Sequence, residues 1–417
     1  MSDWVTTSLG EFATLQRGHD LPEHSRHTGD VPVIGSFGIT GTHSEWVSQG
    51  PGVTVGRSGA SIGVVSYVER DYWPLNTCLY VTDFHGNNRR FVYYFLKTLN
   101  LANFNSGSAQ PSLNRNYIHP ISIHVPRRTE QDDIAALLGA LDDKIELNHR
   151  TNETLEALAR AIFKDWFVDF GPTRDKADGR APYLAPALWS LFPDRLDAEG
   201  KPEGWTRERI GEHVKAAKGL SYKGSGLTTA DSGMPLHNLN SVLEGGGYKT
   251  DGLKFYAGDY KPKHTVRPGD LIVANTEQGF DHLLIGYSAI VPRWTGKEAL
   301  FSHHLYRVEP LSVSPVSRIW LHFALSASWI GDVVRRFSNG TTVNMLPADA
   351  FALPEITVPN KEIVRAFDGL AEPLLSRQED SFCESQTLAQ TRDLLLPKLM
   401  SGEIRLRDAE RMVEDAA

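Results

Sequence analysis

A chain of 417 residues that is 41% hydrophobic has the length for two to four domains and enough apolar surface to build real cores. Its two cysteines, Cys78 and Cys383, lie in different segments without metal-ligand spacing, which argues against a disulfide framework and fits a reducing cytoplasm. The N-terminal MSDWVTTSLGEF lacks the basic start and apolar run of a signal peptide, and no apolar run reaches the ~18 residues of a membrane helix, so a cytoplasmic protein without a membrane partner is expected.

The net charge of −8 argues against nucleic acid until it is divided by segment. Residues 1–128 carry ten Lys/Arg against nine Asp/Glu, and residues 205–359 carry sixteen against fourteen, so both are slightly basic. Residues 129–170 carry four against ten and residues 360–417 eight against twelve. Basic faces can meet phosphates while acidic segments stay clear of them; an acidic segment is equally what a solvated helix face provides.

In chain order, residues 1–127 read as a mixed α/β domain. VPVIGS, GVTVGRSGASIGVVSYV and LYVTDF alternate apolar and small residues between glycines, as short strands joined by tight turns do. Arg90–Leu101 has helical apolar spacing, Asn103–Arg115 is a polar loop, and HPISIHVP reads as a closing strand. Arg128–Phe170 then reads as one long amphipathic helix, with Ile134, Leu137, Leu141, Lys144, Asn148, Thr151, Leu155, Leu158 and Ile162 at coiled-coil spacing. Residues 171–204 are a linker rich in Pro, Gly, Asp and Ala, in which YLAPALWSLF could dock as a short helix. Residues 205–359 form a second domain, with strands near Asp270–Ala274 and Ile285–Val291 and a helix near Arg318–Arg335. A second long helix follows over 360–400, and residues 401–417 are a polar tail whose last residues are expected to fray.

The second half repeats the first. Phe367, Leu370, Leu374, Arg377, Ser381, Glu384, Leu388, Thr391 and Leu395 match the first heptad series at an offset of 233 residues, and within the stretches SGSAQPSLN and SNGTTVNML Gly107 matches Gly340 and Leu113 matches Leu346 at the same offset. WVTTSLGEFATLQRG matches WTRERIGEHVKAAKG at an offset of 201, so the second copy carries an insertion of 32 residues, 233 less 201. A two-copy repeat of this length is a duplicated domain, not a solenoid. The fold class expected is α+β: two duplicated α/β domains with two long helices, whose polar centres and apolar ends match in an antiparallel coiled coil.

The search for catalytic motifs is negative for a phosphate loop with Lys-Ser/Thr, for a dinucleotide fingerprint and for the Asn/Asp-Pro-Pro-aromatic tetrad of amino-methyltransferases. Asp194, Glu199 and Lys201 imitate a nuclease set, but a flexible linker would not hold a metal. His303-His304 is expected in strand geometry, with its two rings on opposite faces and unable to share a metal. More suggestive are the polar loops found in both copies, with Gln110, Asn114 and Arg115 in one and Thr342 and Asn344 in the other. Arg57, Tyr222, Lys223, Asn275, Thr276 and Gln278 sit in comparable turn-like surroundings. Gln and Asn can read adenine, Arg can read guanine, and hydroxyls reach phosphates. Ordinary capped loops are the plainer reading of any one of these residues; the duplicated set favours DNA binding.

VPRRTEQDDIAALLGALDDKIELNHRTNETLEALARAIFKDWFVDF, LFPDRLDAEGKPEGW, TLAQTRDLLLPKLMSGEIRL and the loops GSAQPSLN and GTTVNMLP resemble the specificity subunits of type I restriction–modification systems, and the resemblance spans essentially the whole chain. It implies two target-recognition domains, at 1–127 and 205–359, each reading half of a split asymmetric site in double-stranded DNA. It further implies helices that recruit two methyltransferase subunits, restriction/translocase subunits that join them, and no active site or cofactor in this chain. S-adenosylmethionine would sit on the methyltransferases, and ATP and Mg²⁺ on the restriction subunits. Ala157, Ile162, Phe163, Trp166, Phe167 and Phe170, with Leu394, Leu395, Leu396, Leu399 and Met400, exceed what a two-helix seam needs, so the methyltransferase surface is expected there. Two alternatives stay open: a two-domain coiled-coil scaffold for protein partners, which would lack salt-dependent DNA binding, and a self-contained nuclease, which would cut DNA with Mg²⁺ alone.

Overall fold

The computed structural model describes residues 4–106, 111–278, 284–327, 336 and 343–414. The chain divides into two compact units, one of residues 1–148 with 384–417 and the other of residues 149–383. Each unit therefore holds one globular part and a share of both long helices, Arg128–Phe167 (the central helix) and Lys361–Ser401 (the distal helix).

Among the described residues, unit 1 has nine strands: β1 (Val5–Ser8), β2 (Thr14–Arg17), β3 (Val31–Gly35), β4 (Gly38–His43), β5 (Gly52–Gly56), β6 (Val65–Val68), β7 (Trp73–Pro74), β8 (Cys78–Asp83) and β9 (Ser122–Val125). β1 and β9 pair antiparallel, Val5 opposite Val125, and tie the start of the domain to the strand that enters the central helix. The main sheet runs β2-β8-β5-β6, and a smaller one runs β4-β3-β7. β5 is buried along its whole length, which explains why GVTVG alternates only between apolar and small residues. The helix Arg89–Thr98 belongs to the same core: Phe91, Val92, Tyr94, Phe95 and Leu96 are buried, and the Asn88 side chain caps it by accepting from the Arg90 and Phe91 amides. Ile134 and Leu138 of the central helix and Leu395, Leu399 and Met400 of the distal helix complete this core. The helices run antiparallel here. Asp142 accepts from Arg392 at 2.6 Å, and further on Asn148 donates to Glu384 at 2.9 Å and Ser385 at 3.2 Å.

Unit 2 repeats the plan. Its strands are β10 (Thr206–Arg209), β11 (Val214–Lys218), β12 (Leu227–Thr228), β13 (Met234–His237), β14 (Lys254–Tyr256), β15 (Thr265–Val266) and β16 (Leu271–Ala274). They continue with β17 (Thr276–Gln278), β18 (Ser288–Ile290), β19 (Ala299–Phe301), β20 (Leu305–Pro310), β21 (Val343–Met345) and β22 (Glu355–Val358). β10 pairs with β22 as β1 does with β9, and β11-β20-β16-β18 reproduces β2-β8-β5-β6 strand for strand. Arg318–Ser326, capped by Ser317, takes the place of Arg89–Thr98. The insertion enlarges the smaller sheet to five strands, β12-β14-β13-β19-β15, and keeps one parallel pair, β13 with β19, where unit 1 has β3 with β7. Antiparallel helix pairing recurs: Asn152 donates to the Gln378 carbonyl at 3.2 Å, and the Phe163 and Phe367 rings lie 5.6 Å apart.

Two stretches are more ordered than their composition predicts. The linker forms helices Gly171–Ala177 and Pro186–Trp189, and Phe192 is buried with its ring edge-on to Trp166 at 5.0 Å. The polar tail forms a helix over Leu406–Glu414 that buries Ala409 and packs Leu406, Met412 and Val413 on the unit 1 core, and its last residues, where fraying is expected, lie outside the described residues. An apolar stripe at helical spacing outweighed the polar composition.

Candidate nucleic-acid interface

In each unit the buried strand of the main sheet ends at a backbone clamp. In unit 1, Arg57 follows β5. Its amide donates to the Thr77 carbonyl at 2.9 Å, and its carbonyl accepts from the Leu113 amide at 2.8 Å. In unit 2, Asn275 follows β16. Its amide donates to the His304 carbonyl at 3.0 Å, and its carbonyl accepts from the Leu346 amide at 2.8 Å. Leu113 and Leu346 are partners in the repeat. The clamp therefore joins two calls on the sequence that are far apart in the chain: Arg57 meets the loop that continues to Asn114 and Arg115, and Asn275–Gln278 meets the stretch containing Asn344. In unit 2 the contact extends to a ribbon, β17 with β21, in which Glu277 faces Asn344 and Gln278 faces Val343. In unit 1 it is a single bridge, Ser58 with Ser112.

A second shared contact braces this edge. Gly18 and Gly219 stand at matching places, and a Cβ on either would lie 2.2 Å from the Leu75 carbonyl oxygen or 2.3 Å from that of Phe301. Only glycine allows so close an approach of two backbones.

Side chains differ where the backbone agrees. Arg57 is half-buried, with its guanidinium donating to the Asn76 carbonyl at 3.3 Å. Asn114 is exposed, and its side chain caps the short helix Arg115–Ile118 by accepting from the Asn116 amide at 3.0 Å. Arg115 is exposed beside it. His119, next in line, accepts from the Leu15 amide at 3.0 Å through Nε2; burial and then the Arg115 charge hold its pKa below the ordinary value. In unit 2, Asn275 is fully buried and donates to the His303 carbonyl at 3.1 Å, so its side chain is spent on the turn and not presented to a ligand. Thr276 is also buried, bonded to His304 Nδ1 at 2.8 Å. Tyr222 is half-buried and Lys223 exposed. Gln278 and Asn344 are described through their backbone pairing, while Gln110 and Thr342 lie outside the described residues.

Sequence spacing missed Lys218 and Lys254, which approach Tyr222 and His304, and misplaced the histidines. His303 and His304 sit in a turn between β19 and β20, not in a strand, and their rings lie 3.9 Å apart. Burial first, then the charges of His303, Lys218 and Lys254, push the His304 pKa below its ordinary value. Neither offset in the sequence, 201 or 233, aligns His304 with Thr77; the backbone clamp does.

The expected partner surface requires correction. Phe163, Trp166 and Phe167 are buried in the unit 2 core, against Trp320, Phe323, Phe367 and Trp205, and Phe170 meets Trp205 edge-on at 5.7 Å. Leu395, Leu396, Leu399 and Met400 are buried in the unit 1 core. The surplus over a two-helix seam is the part of each helix that serves as a wall of its own unit. Leu394, at 49% exposure, and Ala157 remain on the surface, and Ile162 is half-buried. The nuclease-like set is not assembled either. Lys201 bonds Asp197 and lies 3.5 Å from Glu199, whereas Asp194 pairs with Lys176 at 3.1 Å. Among the described residues no group of three or more His, Cys, Asp or Glu could hold a metal ion. No described helix is long and apolar enough to cross a membrane.

Comparison with known proteins gives this geometry a context. Residues 1–157 match the type I restriction modification DNA specificity domain. The chain is 24% identical over 325 residues to the type I restriction enzyme MjaIX specificity subunit of Methanocaldococcus jannaschii, covering 76% of this chain and 69% of that one. It is 24% identical over 477 residues to the type I restriction enzyme HindI specificity subunit of Haemophilus influenzae, covering 97% and 100%. Among solved structures, the S subunit of a type I restriction–modification system from M. genitalium shares the fold at a TM-score of 0.61 and 16% identity, over 95% of this chain and 96% of that one.

Proposed function

We propose that the chain is a specificity subunit of the type I restriction–modification family, as its similarity to such subunits supports, and that each unit reads one half of a bipartite, asymmetric site in double-stranded DNA. The observation that carries this reading is the repeated clamp. Two units hold the same edge with the same backbone hydrogen bonds and place different side chains on it: Arg57 against Asn275, Thr77 against His304. A frame fixed by main-chain bonds leaves base contacts free to differ, as two unlike half-sites require.

The chain itself supplies positioning and no chemistry. Methylation belongs to two methyltransferase subunits with S-adenosylmethionine, and cleavage to restriction/translocase subunits with ATP and Mg²⁺. With Trp166, Phe167 and Leu399 buried, the methyltransferase surface has to use what the long helices leave outside, such as Leu158 at 47% and Leu394 at 49% exposure.

The test is exchange of residues 205–359 for the second domain of another family member, expressed with its methyltransferase partner, followed by methylome sequencing. One half of the methylated motif should change and the other stay. A change in both halves would overturn the assignment of one half-site per unit.

A further inference from the structure

Unit 2 carries a group of cations that none of these roles uses. Lys218 is exposed at the end of β11. Lys254 donates to the Tyr222 hydroxyl at 3.3 Å and lies 5.8 Å from the ring centroid. The Tyr222 ring is 6.5 Å from that of His303, which in turn lies against His304. Among the described residues, no carboxylate forms an ion pair with Lys218, Lys223, Lys254, His303 or His304. Glu277, next to Thr276 in the ribbon, accepts from the Leu284 and Ile285 amides at 3.2 and 3.1 Å. Two buried polar atoms at the same turn that can donate have no partner: Ser302 Oγ and His303 Nδ1.

Lysine ammonium groups gathered without a counter-charge repel one another, and the low-dielectric flank of a protein strengthens the repulsion. The arrangement persists at least cost when an anion completes it. The donors fit an anion with several acceptor oxygens: an ammonium, a phenol hydroxyl and imidazole N–H groups. A metal fits poorly, because His304 Nδ1 is engaged by Thr276 and the neighbours are positive.

We propose that Lys218, Tyr222, Lys254, His303 and His304 form a binding site for one backbone phosphodiester of duplex DNA, present in unit 2 and absent from unit 1. The proposal rests on the DNA-reading function above. Thr276, bonded to His304, begins the ribbon held by the unit 2 clamp, so the phosphate would lie beside the proposed reading edge. In unit 1 the matching place is neutralised. Asp20 accepts from the Asn76 side chain and lies 4.0 Å from Arg17, and these stand where unit 2 has Ser221, His303 and Lys218. Leu21 occupies the place of Tyr222.

Phosphate contacts act independently of sequence, so the test needs no knowledge of the site read. The full-length chain is titrated with a labelled, mixed-sequence duplex over a range of KCl concentrations. The variants are Lys254→Gln, Lys218→Gln (exposed, with nothing packed on it to unfold) and the control Lys297→Gln. Circular dichroism checks that each retains its fold. Each lost phosphate contact should lower the slope of log affinity against log salt by about 1. Lys218→Gln and Lys254→Gln should show that drop and Lys297→Gln none. Wild-type slopes in both test variants, with a wild-type chain that binds duplex, overturn the phosphate site alone. A wild-type chain that binds no duplex overturns it together with the function it rests on.

Discussion

Unit 1 and unit 2 keep one backbone plan and differ in what they expose from it. At Gly18 and Gly219 the same carbonyl approach is enforced, yet two residues later unit 1 has Asp20 and unit 2 has Ser221. At the clamp the same two hydrogen bonds hold Arg57 in one copy and Asn275 in the other. The lesson is that the proposed reading edge is built from groups every residue owns, an amide and a carbonyl, so its side chains can change without loss of the frame. The cores follow a different rule. Both units borrow a face of each long helix, so residues that look like a partner surface are structural walls.

The sharpest way to break this comparison is at those walls. Trp166→Ala with Phe167→Ala removes two rings that are 2% and 3% exposed in the unit 2 core. Each loss costs about 3–5 kcal/mol. Hydrogen exchange should show unit 2 opening, with strands β16 and β20 losing protection before β5 and β8. A double variant with wild-type exchange and weaker methyltransferase binding would restore the partner-surface reading.

The next largest effect separates the units by pH. His237 and His322 are buried in unit 2, and burial pushes both down to about 4 from an ordinary 6.5. Between those values the unfolded chain binds protons that the folded one does not. The stability they contribute is therefore complete above pH 6.5 and is lost as pH falls towards 4. The loss is at most about 3 kcal/mol for each histidine. Unit 1 has no counterpart of that size: Glu11, Asp132 and Asp143 are shifted below the ordinary carboxylate values, so they act at lower pH. Exchange at pH 5 should rise in unit 2 first. Equal rises in both units would show that the buried histidines do not set acid stability.

How far the sequence foretold all this varies by feature, for physical reasons. The long helices and the meeting of their polar centres were legible, because the heptad spacing is local: Asn148, expected near Ser381, bonds Glu384 and Ser385 one turn further on. The repeat was legible because the strands tied to the helices, β1 with β9 and β10 with β22, kept their spacing. The exposure of Trp166 and Leu399 was not legible, since a helix pattern shows which face is apolar and not what covers it. Asn275 looked like a reader of bases because it is polar in a loop; its burial depends on His303, twenty-eight positions away, across a sheet. The cation group was missed for the same reason: Lys218, Lys254 and His304 meet only through the five-stranded sheet and its neighbour.

The smallest effect probes the shared frame itself. Gly18→Ala and Gly219→Ala place a methyl group 2.2 and 2.3 Å from backbone carbonyl oxygens that have no room to retreat, since the Leu75 carbonyl accepts from the Cys78 amide in one unit and the Phe301 carbonyl from the Leu220 amide in the other. Overpacking of this kind costs about 1–3 kcal/mol. Because both glycines face the same contact, the two variants should lose stability by similar amounts in urea unfolding. Their effects on DNA should differ in kind: Gly18→Ala should weaken methylation at sites matching the first half, and Gly219→Ala at sites matching the second. A large penalty in one copy with none in the other would mean that the two edges are braced differently despite their matching bonds. The frame would then be a feature of each unit separately, not of the repeat.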